Sequence, residues 1–220
     1  MRANYDTIAK YYDFFSRIVF GRSIRKSQLY LLQHIRPGTT ILIIGGGTGW
    51  ILEDITALHA SGLRITYVEQ SVSMMERSQK RNIGSNKVKF ECKPIQDCTL
   101  IGRYDVVLVP FLFDNYAVAS IELIIQTIEP HLTGTGVWLY ADFTLHNCRI
   151  WTKLLVKLMY LIFKPICNLE VRTLPDISFC FDRNHYSAIH EASFYSGFIS
   201  SIVYQKSLPI CDHNNTLINI

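Results

Sequence analysis

Short apolar runs alternate with longer amphipathic stretches through the middle of the chain. The first run, Thr40–Ile44, is apolar at every position after its threonine and stops at glycines, as does a strand buried on both faces of a sheet. Similar runs predict four more strands: Arg64–Glu69, Lys87–Cys92, Tyr104–Val109 and Val137–Phe143. The intervening segments predict helices: Trp50–His59, Val72–Asn82 and Val118–Leu132, the last stopped by Thr133–Gly136. This alternation requires parallel crossovers, so we predict a doubly wound α/β sheet.

The two ends of the chain follow other patterns. Residues 1–35 are helical and aromatic-rich, which predicts a helical cap over the C-terminal edge of the sheet. Asn147–Lys164 is typical of one long helix, and Pro175–Asp182 of a short one. Tyr186–Tyr195 and Phe198–Ser207 are β-rich and flank Ser196-Gly197, so they predict an antiparallel hairpin that completes a seven-stranded, mainly parallel sheet.

Composition narrows the class of protein. A length of 220 residues suits one domain, and the charged share of 18% is below the roughly 25% of an average soluble domain. The net charge of +4 is spread along the chain, so we expect no nucleic-acid partner. The N-terminus lacks the apolar core of a signal peptide, and the six cysteines form no CxxC pair. We therefore expect a cytoplasmic protein with reduced thiols and no metal site.

The strongest chemical signal is a glycine loop between the first strand and the first helix. It reads Gly45-Gly46-Gly47-Thr48-Gly49-Trp50. Glycines let the backbone approach a ligand, and the helix N-terminus beyond them offers N–H groups and a positive dipole end. A dinucleotide fingerprint would need glycine at Trp50, and a phosphate loop would need lysine there. The loop therefore predicts a nucleoside ligand held without a pyrophosphate.

An acidic residue follows at the distance such a ligand requires. Glu69 ends the second predicted strand, 20 residues after Gly49. A carboxylate in that position can accept hydrogen bonds from a pair of ribose hydroxyls. Gln70, its neighbour, is a further candidate for contact with an adenosine.

These motifs resemble those of the class I S-adenosylmethionine-dependent methyltransferases. The loop Gly45–Gly49 is similar to their first motif, Thr66–Met75 to their second strand and the following turn, and Tyr104–Leu108 to their fourth strand. The opening Tyr5–Asp13 resembles the cap of the small-molecule branch, especially the quinone-biosynthesis enzymes. The resemblance implies a Rossmann-like fold in one domain over 1–220, with a cap (1–35), a cofactor-binding core (36–143), and substrate-side helices and hairpin (144–210).

The resemblance also implies a cofactor and a site. The cofactor would be S-adenosylmethionine, and the activity would be methyl transfer to a small, apolar or aromatic acceptor. Besides the loop glycines, Glu69 and Gln70, the expected cofactor contacts are Met74, Ile95, Gln96, Pro110 and Tyr12. Acceptor contacts are expected from Phe113, Asp114, Tyr116 and His146. For Asp114 we prefer the other interpretation, an N-cap of the helix that follows. The sequence identifies no catalytic base.

The chain departs from the family at Ile43, where an acidic residue usually stands two positions before the first glycine. Two alternatives therefore stay open. An aminopropyl transferase of the polyamine type shares the fold and an Ile-Gly-Gly-Gly loop. A non-catalytic nucleoside-binding module would retain the fold alone.

Partners beyond a small-molecule substrate depend on the helix predicted at Ile150–Lys164. Lys153, Lys157 and Lys164 fall within about 40° of one another at roughly 100° per residue, on an otherwise apolar helix. Such a stripe suits weak contact with a membrane surface. The other interpretation is a helix buried by the sheet, the cap or a second subunit in a homodimer, with its lysines in water.

Overall fold

A seven-stranded sheet forms the centre of the protein. The computed structural model describes residues 19–145 and 174–207. The strands are β1 (Thr40–Ile44), β2 (Ser61–Val68), β3 (Ser85–Glu91), β4 (Tyr104–Pro110), β5 (Leu132–Phe143), β6 (Tyr186–Phe194) and β7 (Ile199–Lys206). Their order across the sheet is β3-β2-β1-β4-β5-β7-β6. The first five strands are parallel, β7 runs antiparallel to β5, and β6 runs antiparallel to β7. This confirms the predicted fold class.

Five α-helices flank the sheet in the described part of the chain. They are α1 (Ser23–Leu32), α2 (Trp50–Leu58), α3 (Val72–Ser78), α4 (Val118–Ile128) and α5 (Ile177–Arg183). Short 3-10 turns stand at Ile95–Asp97, Phe113–Asn115 and Glu129–His131. None of these helices is long and apolar enough to cross a bilayer.

Burial on both faces explains the apolar strands. In β1, Leu42 and Ile44 pack in the cluster shared with α4 and α5, whereas Ile41 and Ile43 pack in the cluster shared with α1 and α2. Successive strand residues point to opposite faces, so a strand with helices on both sides must be apolar throughout.

Tertiary pairing moved several boundaries. Thr133–Gly136 was predicted as a turn, but it lies inside β5. Leu132 pairs with Tyr104 and Val137 with Val106, so β5 accommodates extra residues as an irregularity beside β4. The helix predicted to run to Leu132 ends at Ile128. The helix predicted at Val72–Asn82 ends at Ser78.

The predicted cap is described from residue 19 onward. Its helix α1 lies against β5, β6 and β7, so it covers one face of the sheet, and only its first turns reach the C-terminal edge. The rest of the cap and the helix predicted at Asn147–Lys164, with its lysine stripe, lie outside the described residues.

Candidate functional site

A cleft of about 790 Å³ opens at the C-terminal edge of the parallel strands. The glycine loop, the ends of β2 and β4, the loop after β3 and the first turns of α1 surround it. Ligands of doubly wound sheets bind at this edge, where the strand order reverses between β1 and β4. The volume lies within the roughly 300–1,000 Å³ typical of small-molecule sites.

Gly46 and Gly47 of the loop must be glycines for different steric reasons. Gly46 packs directly on the ring of Tyr67, and a Cβ at Gly46 would overlap that ring. The Tyr67 hydroxyl also donates to the Gly47 carbonyl at 3.0 Å. Gly47 has a φ of +62°, and the atom nearest to an added Cβ would be the Met74 sulfur at 3.9 Å. The loop is therefore fixed from behind by Tyr67 and open on its ligand side at Gly47.

Glu69 ties the glycine loop to the end of β2. Its Oε2 accepts a hydrogen bond from the Gly47 N–H at 3.0 Å, and its Oε1 accepts one from the Ser71 N–H at 2.8 Å. The residue is only 7% exposed, yet it lines the cleft. The side chain that was predicted to bind ribose thus orders the glycine loop.

The structure brings most of the predicted cofactor contacts together. Eight of them line one cleft: Gly45, Gly46, Gly47, Glu69, Gln70, Met74, Ile95 and Pro110. Gln96 is exposed and is not among the lining residues. Gly49 sits behind the loop as the N-cap of α2, where a Cβ would meet Ser78 at 2.7 Å. Its role is therefore close helix packing. Tyr12 lies outside the described residues.

The segment after β4 forms the wall expected to face the acceptor. Tyr116 lines the cleft as predicted, together with Phe111, Leu112 and Asn115 of the same segment. Phe113, expected to contact the acceptor, instead points into the core. It is fully buried and stacks near Tyr140 at a centroid distance of 6.0 Å. The 3-10 turn at Phe113–Asn115 accounts for this difference, because its three residues per turn place Leu112 and Asn115 on the face toward the cleft and Phe113 on another face. His146 lies outside the described residues.

Phe111 adopts a conformation that the local sequence does not announce. Its φ is +52°, in the left-handed region that a bulky residue rarely occupies. Its N–H donates to the Ala141 carbonyl on β5 at 2.7 Å, and its ring lies 5.0 Å from that of Phe143. Such backbone strain persists where neighbouring structure fixes it, often at a ligand site. Here β5 holds the first residue of the acceptor wall.

Two carboxyls lie close together at this segment, the buried Asp142 and the half-buried Asp114. Asp142 on β5 accepts the Phe143 N–H at 2.8 Å and the Asp114 N–H at 3.1 Å. Asp114 accepts the side-chain amide of Asn115 at 2.6 Å and does not line the cleft. Neither predicted role for Asp114 therefore matches its position, since the N-cap of α4 is Ala117.

Burial governs the protonation of both groups. Burial raises the pKa of Asp114 from 3.8 to about 7, against the opposing effect of the Asn115 hydrogen bond. Burial also raises the pKa of Asp142 well above its ordinary value, and the neighbouring Asp114 charge adds to this. Because the two carboxyls destabilise each other's charge, the pair retains a proton more readily than either would in water.

Basic side chains at the N-cap and in the first turn of α1 also line the cleft. Arg22, Arg25 and Lys26 follow the i, i+3, i+4 spacing that places residues on one helix face. Arg25 donates from Nε to the buried Asp54 carboxylate at 3.0 Å. That hydrogen bond and the Asp54 charge raise the pKa of the guanidinium. Site prediction from the sequence missed this face, although its helical spacing was a readable signal.

Comparison with solved structures identifies the fold. The chain matches a mitomycin 7-O-methyltransferase with a TM-score of 0.68 and 15% identity, over 93% of this chain and 61% of that one. It also matches a Burkholderia thailandensis 1,6-didemethyltoxoflavin-N1-methyltransferase with bound 1,6-didemethyltoxoflavin and S-adenosylhomocysteine. The TM-score is 0.63 and the identity 15%, over 92% of this chain and 86% of that one. The magnesium protoporphyrin IX methyltransferase of Synechocystis PCC 6803, with bound S-adenosylhomocysteine, matches with a TM-score of 0.60 and 14% identity, over 84% of this chain and 82% of that one.

The chain therefore has the fold of the class I S-adenosylmethionine-dependent methyltransferases. No family model and no curated protein matches its sequence. The chain spans 61% of the length of the mitomycin methyltransferase.

Proposed function

We propose that this chain binds S-adenosylmethionine across the cleft and transfers its methyl group to a small, apolar or aromatic acceptor. The observation that carries the proposal is the Glu69 carboxylate, which borders the cleft at the end of β2 and is hydrogen-bonded to the Gly47 N–H. The fold is one in which related structures hold S-adenosylhomocysteine.

The residues present fit the adenosine half of this cofactor. Glu69 would accept hydrogen bonds from the two ribose hydroxyls, with Gln70 beside it. Ile95, after β3, is 3% exposed and lines the cleft, so it offers an apolar surface for the adenine. The open space over Gly47 leaves room for the chain that joins the ribose to the methionine end.

The acceptor would lie against the wall after β4. When bound, the cofactor supplies a methyl group on a positively charged sulfur. Phe111, Leu112 and Tyr116 would position an apolar acceptor and exclude water. Alignment of two reactants can lower a barrier by roughly 7–11 kcal/mol, so transfer to an acceptor that is already nucleophilic needs no general base. We assign no catalytic base.

Cleft charge weakens the case for the aminopropyl alternative. Four cationic side chains line the cleft, Arg22, Arg25, Lys26 and Lys93, and Glu69 is the one carboxylate among its described lining residues. Arg25 and Lys93 pair with Asp54 and Glu91, so the surplus rests on Arg22 and Lys26. A polyamine acceptor is cationic and would be repelled by these two charges. We therefore prefer an uncharged or anionic acceptor.

Ligand-dependent thermal unfolding tests the proposal. S-adenosylhomocysteine at 100 times its Kd should stabilise the fold by about 2.7 kcal/mol through mass action and raise the Tm. NAD should have no effect, because Trp50 stands where a dinucleotide loop needs glycine. Stabilisation by NAD, with none by S-adenosylhomocysteine, would refute the assignment.

Product formation separates an enzyme from a binding module. The protein would be incubated with S-adenosylmethionine and a panel of small aromatic acceptors, and the products measured by mass spectrometry. A mass gain of one methylene unit on an acceptor supports methyl transfer. Cofactor binding without transfer to any panel member would favour the binding module.

A further inference from the structure

Two cations at the start of α1, the N-cap Arg22 and Lys26, line the cleft without an acidic partner in the described part of the chain. Arg22 and Lys26 are four residues apart, one helical turn, and both are exposed. Residues 19–145 and 174–207 provide no carboxylate within ion-pair distance of either side chain. Their neighbour Arg25 is different, because the buried Asp54 carboxylate balances its charge. Within residues 19–145 and 174–207, the positive charges of Arg22 and Lys26 at the cleft are therefore not balanced by an ion pair.

The glycine loop offers few donors of its own to an anion. The Gly45 N–H donates to the Val68 carbonyl at 2.8 Å, and the Gly49 N–H to the Gly46 carbonyl at 3.3 Å. The Gly47 N–H donates to Glu69. Since these three donors are engaged within the protein, cationic side chains beside the cleft would strengthen the binding of a carboxylate through charge-assisted hydrogen bonds.

We propose that Arg22 and Lys26 form a carboxylate-binding subsite at the mouth of the cleft. The proposal rests on the proposed function. The carboxylate belongs either to the methionine end of the cofactor or to an aromatic acid that serves as acceptor. In both cases a guanidinium and an ammonium one turn apart make charge-assisted hydrogen bonds to one anionic group.

The test compares two double variants that lose the same charge. R22Q/K26Q removes the subsite. R36Q/K87Q is the matched control, because Arg36 and Lys87 are exposed and lie outside the cleft. Circular dichroism melting of both variants verifies that each is folded before binding is measured.

Calorimetry tests the cofactor as the source of the carboxylate. S-adenosylhomocysteine carries the methionine carboxylate, whereas 5′-methylthioadenosine lacks it. We expect R22Q/K26Q to lose about tenfold in affinity for the first ligand and to bind the second as wild type does. An equal loss for both ligands would overturn the subsite, because the effect would not depend on the carboxylate.

Fluorescence tests the acceptor as the source. Protein saturated with S-adenosylhomocysteine is titrated with 8-anilinonaphthalene-1-sulfonate, an aromatic anion, and with N-phenyl-1-naphthylamine, a related uncharged probe. An acceptor subsite predicts that R22Q/K26Q loses about tenfold in affinity for the anion alone. If R22Q/K26Q behaves like R36Q/K87Q with every ligand and probe, the proposal is overturned.

The two proposals fail in different ways. A wild type that binds neither nucleoside would defeat the proposed function. The two fluorescent probes, applied to the ligand-free protein, would then still report whether the cleft prefers an aromatic anion through Arg22 and Lys26. Wild type that binds S-adenosylhomocysteine while R22Q/K26Q leaves all affinities unchanged defeats only the subsite.

Discussion

Replacing Glu69 by glutamine should reduce both stability and cofactor affinity. The carboxylate accepts one backbone N–H on each oxygen, from Gly47 and from Ser71. A glutamine has one carbonyl oxygen and one NH₂ group in the same space, so one of the two N–H donors would face another donor. At 7% exposure, water compensates this poorly. A buried donor left without an acceptor costs about 1–3 kcal/mol, which is the expected loss in unfolding free energy.

The effect of Glu69 on ligand affinity can be measured separately from its effect on stability. If Glu69 accepts hydrogen bonds from ribose hydroxyls, its charge-assisted bonds are worth roughly 1.5–3 kcal/mol, about tenfold or more in affinity. Wild type should therefore bind adenosine at least about tenfold more tightly than 2′,3′-dideoxyadenosine. The E69Q variant should lose much of this discrimination, whereas the matched control E76Q, at an exposed position of α3, should keep it.

Urea unfolding and isothermal calorimetry measure the two effects. Retained discrimination between adenosine and its dideoxy analogue in E69Q would refute the ribose role. Unchanged unfolding free energy in E69Q would refute the argument that this carboxylate holds the loop. A loss of stability with full discrimination would leave Glu69 as a loop-ordering residue only.

The remaining predictions concern the loop glycines Gly46 and Gly47 and the half-buried carboxyl of Asp114. Gly46→Ala should destabilise the fold, because the added Cβ overlaps the Tyr67 ring. Gly47→Ala should fold with about 1–2 kcal/mol of strain from its left-handed backbone, but it should weaken S-adenosylhomocysteine binding. Urea denaturation and calorimetry compare the two variants, and equal behaviour would contradict the separate roles given to Gly46 and Gly47. Asp114, with its pKa raised to about 7, keeps a proton in the folded state that the unfolded chain releases near pH 4, so its contribution makes the unfolding free energy fall between about pH 4 and 7. Urea titrations across that range should show a shallower fall in Asp114→Asn, and an unchanged slope would show that Asp114 is not the group responsible.

The acceptor wall and the basic face show where sequence reasoning stopped. The direction of the Phe113 side chain depends on a 3-10 turn whose Asp114 N–H is held by the Asp142 carboxylate of β5. The spacing of Arg22, Arg25 and Lys26 in the sequence indicates one helix face. Only the packing of α1 on the sheet turns that face toward the cleft. Both outcomes depend on contacts between residues that are distant in the sequence.

The sequence by itself determined the sheet and the position of the cleft, because these follow from local chemistry. An apolar run such as Thr40–Ile44 must be buried on both faces, and a glycine-rich turn after it must lie at the C-terminal edge. The placement of Glu69 beside the glycine loop followed from its position at the end of the second predicted strand, 20 residues after Gly49. Only the tertiary structure decided that Glu69 binds the Gly47 N–H, that β5 begins at Leu132, and that Gly49 serves packing rather than the ligand. Pattern and spacing fix which elements form, whereas hydrogen bonds and contacts between elements fix the direction of each side chain.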